Sequence, residues 1–186
     1  MRLAEDLEGI DGLVIPGGES TTMTLLMERM GLLEPVREAL AAGLAALGTC
    51  AGAILLAGRL DDGRDGQQPL NVMPDVALRR NAWGRQVESF EAPVTLAGPG
   101  PAFPGVFIRA PRFEATGSAE VIARLADGEP VGVREGRVIA LAFHPELSGD
   151  TRLHREFLEL VATPPRPLRR ASPATSPPIG GQGSSS

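Results

Sequence analysis

The hydrophobic pattern opens with a short apolar run from Gly12 to Ile15 that stops at Pro16-Gly17-Gly18, the signature of a buried strand ending in a tight turn. Ser20, Thr21 or Thr22 can then cap a helix that carries Met23, Leu25, Leu26, Met30 and Leu33 at mixed helical spacings as far as Glu34-Pro35. Pro35 opens another helix over Val36 to Ala42, Leu44 to Leu47 reads as the next strand, Gly48 to Gly52 as a turn, and Ala53 to Ala57 as a helix. Strand, helix, strand, helix is the pattern of a parallel α/β fold. The polar, Gly-rich stretch from Asp61 to Gln68 predicts a loop. Further strands are expected at Val87 to Phe90, Val94 to Leu96, Val106 to Arg109, Val121 to Leu125, Val131 to Arg134 and Val138 to Phe143, and a last helix over Thr151 to Val161.

Composition divides the chain in two. From Pro164 to Ser186 there are six Pro, five Ser and three Gly, too little apolar surface to offset chain entropy, so residues 164–186 are expected to be a disordered tail. Residues 1–163 then form one domain with fifteen Arg against twenty-three acids, a balance that argues against nucleic acid as a partner. The stretch from Met1 to Ile10 holds Glu5, Asp6 and Glu8 where a signal peptide needs an apolar core, and no run reaches the length of a membrane span. A single Cys cannot form an intramolecular disulfide, and with two His it is too little for a zinc cluster. A reducing, cytoplasmic setting without a metal is the expectation.

Two short motifs carry chemistry. Gly48-Thr49-Cys50-Ala51-Gly52, between a strand and a helix, has the Gly-x-nucleophile-x-Gly form of a nucleophile elbow, in which small flanking residues let neighbouring backbone approach and the helix start offers N–H groups to an oxyanion. On its own the same pattern also describes a buried structural cysteine in a Gly-rich turn. Phe143-His144-Pro145-Glu146 ends the apolar run from Val138, and strand alternation would put His144 and Glu146 on one face, the acid orienting the imidazole. Cys50, His144 and Glu146 together supply a nucleophile, a general base and its orienter.

Five segments, GLVIPGGESTTM from Gly12, GTCAG from Gly48, RNAWGRQVESFE from Arg80, GVFIRAP from Gly105 and FHPEL from Phe143, resemble the glutaminase subunits of bacterial-type pyridoxal 5'-phosphate synthase, which are class I, triad-type glutamine amidotransferases. The resemblance runs from about Leu7 to Val161. It implies a flavodoxin-like α/β fold with a single doubly wound, mostly parallel sheet flanked by helices. It also implies Cys50 as nucleophile, His144 as base and Glu146 as its partner, with Gly18, Glu19, Ser20, Arg80, Ile108 and Arg109 along a bound L-glutamine. A guanidinium suits the glutamine α-carboxylate and an acid suits its ammonium. Which of Arg80 and Arg109 meets the carboxylate stays open.

The implied reaction is hydrolysis of L-glutamine through a cysteine thioester, with the ammonia passed to a barrel-type synthase subunit in a hetero-oligomer. No cofactor is implied for this chain, since pyridoxal phosphate is the product of the complex. Two other readings are a subunit that only binds the synthase and the glutaminase subunit of another amidotransferase. Family members begin with a strand, a Leu-Gln-Gly loop and a helix, roughly thirty residues before the position of Arg2, and this sequence lacks them. The expectation is a domain without its first strand and helix, from a start codon assigned inside a longer reading frame; the alternative is a truncated, catalytically impaired gene product.

Overall fold

The computed structural model describes residues 3–63, 70–80 and 89–164. After a turn of 3-10 helix at Ala4–Leu7 come β1 (Gly12–Ile15), α1 (Ser20–Arg29), α2 (Leu33–Ala41), β2 (Ala45–Thr49) and α3 (Ala51–Leu56). They are followed by β3 (Ala57–Leu60), β4 (Met73–Arg79), β5 (Ser89–Leu96), β6 (Phe103–Ile108), β7 (Arg112–Ala115), β8 (Glu120–Arg124), β9 (Pro130–Glu135), β10 (Val138–Leu141) and α4 (Arg152–Ala162). Among the described residues no helix is long and apolar enough to cross a membrane.

Seven strands form one sheet in the order β1-β2-β10-β9-β8-β5-β6. β2 is buried along its whole length and pairs in parallel with β1 on one side and β10 on the other. An unbroken apolar run is what a strand covered on both faces requires. Helices do cover both faces. A Cβ at Gly48 would lie 2.6 Å from Leu56 of α3, whereas one at Gly12, which is level with Ala45, would lie 2.6 Å from Val161 and 2.9 Å from Phe157 of α4. Positions 45 and 48 point to opposite faces of the strand, so α3 and α4 lie on opposite sides of the sheet.

The α/β class agrees with the sequence expectation, but the sheet is mixed where a mostly parallel one was expected. From β10 onward every neighbour is antiparallel: β10 with β9, β9 with β8, β8 with β5 and β5 with β6. For the pairs consecutive in the chain, β5 with β6, β8 with β9 and β9 with β10, the cause is the length of the connections. Only Gly136 and Arg137 separate β9 from β10, and so short a link can join only antiparallel strands. A second, three-stranded sheet in the order β3-β4-β7 was not anticipated; Arg80 follows directly on its central strand.

Several boundaries move. The expected strands at Val87 to Phe90 and Val94 to Leu96 belong to one strand, β5, and positions 87 and 88 lie outside the described residues, as do part of the Asp61 to Gln68 loop and the tail from 165 onward. Helix α3 starts at Ala51, directly after the candidate nucleophile, and ends at Leu56. The strand expected to reach Phe143 stops at Leu141. Phe143 is fully buried, its ring 5.7 Å from that of Phe103 and 5.4 Å from that of Phe107, and Phe107 stacks on Phe90 at 4.5 Å. This aromatic cluster fixes the main chain just before His144.

Candidate active site

Cys50 sits at the N-cap of α3 with φ 51° and ψ −106°, a left-handed backbone that a non-glycine residue adopts only where its surroundings impose it. Here they do. The Cys50 N–H donates to the Leu141 carbonyl at 2.8 Å, and a Cβ at Gly52 would lie 1.9 Å from the Ile15 carbonyl oxygen, so the first turn of α3 abuts the end of β1. The Cys50 thiol is 3.7 Å from the Ile108 carbonyl oxygen, within reach of a hydrogen bond from sulfur.

His144 follows the end of β10, and its main-chain N–H donates to the Val106 carbonyl at 2.8 Å. Its Nδ1 is 2.8 Å from Oε1 of Glu146. Strand alternation does not produce this pair, as the sequence had suggested. The strand has already ended at Leu141, and Pro145, whose fixed φ suits a first helical position, opens a 3-10 segment, Pro145–Leu147, that brings the acid back to the imidazole. The histidine side chain is 13% exposed and the glutamate 40%, which puts the acid on the solvent side of the ring.

Cys50 and His144 line a single cavity of about 380 Å³, within the ordinary range for small-molecule sites of roughly 300–1,000 Å³. Gly18, Glu19, Ser20, Arg80, Ile108 and Arg109 line it too. Every site residue expected from the sequence thus reaches this cavity except Glu146, which lies behind His144. Ala51 and Ile54 of α3 also contribute to the wall and were not anticipated.

Glu19 has a role that the sequence reading gave to its neighbours. The cap of α1 is Glu19 itself, and none of Ser20, Thr21 or Thr22: its carboxylate accepts from the Thr21 N–H at 3.2 Å, the Thr22 N–H at 2.6 Å and the Thr22 hydroxyl at 2.7 Å. The helix begins one residue earlier than a Ser20 cap would allow. The Thr22 hydroxyl and amide hold this carboxyl far below the usual range, at about 2.

Arg80 is anchored by groups that sequence reading missed. Asp62 accepts the Arg80 main-chain N–H at 2.8 Å, its own carbonyl accepts Nη2 at 3.0 Å, and Thr21 accepts Nη1 at 3.3 Å. The second carboxylate oxygen of Asp62 is 3.7 Å from Nε, and the arginine side chain is 14% exposed. Arg109, by contrast, is exposed on the cavity rim with φ 45°. The rest of the Arg80 motif, positions 81–88, lies outside the described residues.

Burial pushes the Cys50 thiol pKa up, the Ala51 N–H opposes that by favouring the thiolate, and the Glu146 charge raises it further. At neutral pH the Cys50 sulfur therefore rests as a thiol, consistent with its contact to the Ile108 carbonyl. Such a group needs a base to become reactive at neutral pH, and His144 lines the same cavity. Among the described residues no group of three or more His, Cys, Asp or Glu is placed to hold a metal ion.

Comparison with known proteins gives a consistent result. The model of the SNO glutamine amidotransferase family matches residues 1–163. The pyridoxal 5'-phosphate synthase subunit PdxT of Corynebacterium jeikeium is 52% identical over 162 residues, covering 87% of this chain and 83% of that protein. The PdxT of a Parafrankia species is 55% identical over 163 residues, with 87% and 79% covered. A solved glutamine amidotransferase superposes with a TM-score of 0.81 at 49% identity, covering 88% of this chain and 85% of its own. PurLQS from Thermotoga maritima, at 18% identity and a TM-score of 0.60 over 82% of this chain and 81% of its own, shares the fold.

Proposed function

The chain belongs to the SNO glutamine amidotransferase family, and from that premise we propose that Cys50, His144 and Glu146 hydrolyse L-glutamine and that the ammonia released feeds pyridoxal 5'-phosphate synthesis. The observation that carries this reading is one cavity lined by a buried thiol and by an imidazole whose Nδ1 is 2.8 Å from a carboxylate.

In the proposed reaction Cys50 attacks the side-chain amide carbon of glutamine as its proton passes to His144. Glu146 orients the imidazole and stabilises the charge it gains. The tetrahedral oxyanion faces backbone donors at the elbow, among them the Ala51 N–H, which already favours negative charge on the sulfur. Collapse breaks the carbon–nitrogen bond, and His144 returns the proton so that ammonia leaves. Water, deprotonated by the same base, then cleaves the γ-glutamyl thioester to glutamate and restores the thiol.

The substrate's fixed charges select the rest of the wall. Arg80, anchored and largely buried, suits the α-carboxylate, whereas Arg109 on the rim would contribute chiefly through its main chain beside Ile108. Glu19 keeps its negative charge through the helix cap and faces the ammonium, with Gly18 and Ser20 beside it. The partner in this reading is a barrel-type synthase subunit, and the setting is the cytoplasm, where a lone nucleophilic thiol stays reduced.

The test is ammonia release from glutamine in the presence of the synthase subunit, with Cys50→Ala as control. The expected result is release that depends on Cys50. Equal rates for the two proteins would remove the enzyme reading and leave a subunit that only binds the synthase.

A further inference from the structure

We propose that Gly17 is a positioning residue for the base: its missing side chain sets the distance at which the loop between β1 and α1 closes on the His144 ring. The proposal rests on the reading of His144 as the general base. A Cβ placed at Gly17 would lie 2.3 Å from Cε1 of His144, 3.2 Å from Nδ1 and 3.3 Å from Nε2. Non-bonded carbons rest at about 3.5–4.0 Å, so the edge of the imidazole between its two nitrogens lies directly against the Gly17 main chain. Gly17 is not among the glycines with left-handed backbone. The ring, and no requirement of backbone conformation, is therefore what excludes a side chain there.

Neither partner can easily retreat. The loop runs only from the end of β1 to Glu19, and both ends are held. At one end the Ile15 carbonyl is pressed against Gly52 of α3, and at the other the Glu19 carboxylate is engaged by Thr21 and Thr22. The histidine backbone is fixed by the bond from its N–H to Val106 and by the burial of Phe143 against Phe103 and Phe107. What remains free is rotation of the imidazole about its own side-chain bonds, restrained by the 2.8 Å contact from Nδ1 to Glu146. A methyl group at position 17 would be relieved by that rotation, which breaks the contact and turns Nε2 away from its working direction. The same loop carries Gly18 and Glu19 on the cavity wall and leads into Ser20 of α1 beside them, so one close contact sets both the base and the substrate-facing loop.

The experiment is a double-mutant cycle on the complex with the synthase subunit, using Gly17→Ala, His144→Ala and the pair. Gly98→Ala serves as control, because a Cβ there meets nothing within 4 Å. Gly17→Ala is expected to lower kcat for glutamine hydrolysis at least tenfold while KM changes less than threefold, with Gly98→Ala unchanged. In the His144→Ala background the ring is gone, so Gly17→Ala should cause no further loss of residual activity, and the Tm lowered by the single substitution should return to that of His144→Ala alone. That recovery of Tm keeps the test valid even if the single variant folds poorly. Wild-type kcat in Gly17→Ala, or an equal Tm loss with and without the ring, would overturn the proposal. Unchanged kcat in His144→Ala would instead overturn the assignment of the base.

Discussion

The main-chain N–H of His144 donates to the carbonyl of Val106 at 2.8 Å, and two residues further along the same strand the Ile108 carbonyl lies 3.7 Å from the Cys50 sulfur. Carbonyls two residues apart on a strand point the same way, so β6 acts as one strut against which both the thiol and the imidazole are placed. The residue between them, Phe107, is fully buried and packs on Phe90 and Phe143. Phe107→Ala is expected to cost about 3–5 kcal/mol by the usual scale for such truncations. Urea unfolding should therefore show a large fall in midpoint, and the fraction that remains folded should have lower kcat because the strut is loosened.

Arg80 offers a separation of binding from chemistry. Asp62 is eighteen residues away in sequence and holds both the main chain and the guanidinium of Arg80. If Arg80 receives the glutamine carboxylate, Asp62→Ala should raise KM by about five- to tenfold with kcat within a factor of about two, since the effect falls on substrate and transition state alike. Steady-state ammonia assays over a range of glutamine concentrations read this directly. A fall in kcat at unchanged KM would show that Asp62 supports the chemistry in some other way.

Much of this site was legible because its signals are local. The elbow glycines follow from the close packing that Gly48 and Gly52 make with α3 and β1, and His144 with Glu146 is a spacing that sequence displays openly. Long-range contacts were invisible. Gly17 reads as an ordinary turn glycine until His144, far along the chain, is seen to rest on it, and nothing near Asp62 announces Arg80. The small sheet escaped for a related reason: β3 (Ala-Gly-Arg-Leu) and β7 (Arg-Phe-Glu-Ala) are only four residues each, too short for their pattern to stand out, and are specified by their pairing with β4. Glu19 was passed over as a cap because shorter Ser and Thr side chains stood beside it.

The Glu19 cap has a definite pH dependence. Its carboxyl is depressed to about 2, so its contribution is complete above the ordinary carboxylate range and is lost as pH falls toward that value. The group is exposed, which limits the contribution to about 0.5–1 kcal/mol. Glu19→Gln should be less stable than the parent by that amount near neutral pH, and the gap should close as pH is lowered from about 5 to about 2. Paired urea titrations at several pH values give the comparison. A gap that widens on acidification would show that the carboxylate is not what holds the helix start.

In the proposed reaction Glu146 acts on the two reacting groups in opposite directions. It orients His144 through the 2.8 Å contact, while its charge raises the Cys50 pKa that burial has already pushed up. Glu146→Gln is therefore expected to lower glutamine turnover about 10²-fold or more, the scale of losing a well-placed base. Direct alkylation of Cys50 by iodoacetamide at pH 8 needs only the thiolate, and removal of the nearby negative charge should make it faster, by roughly two- to fivefold. Parallel measurement of ammonia release and alkylation rate separates the two roles. Slower alkylation in Glu146→Gln would mean that the carboxylate governs the thiol through the imidazole it orients, outweighing its direct charge.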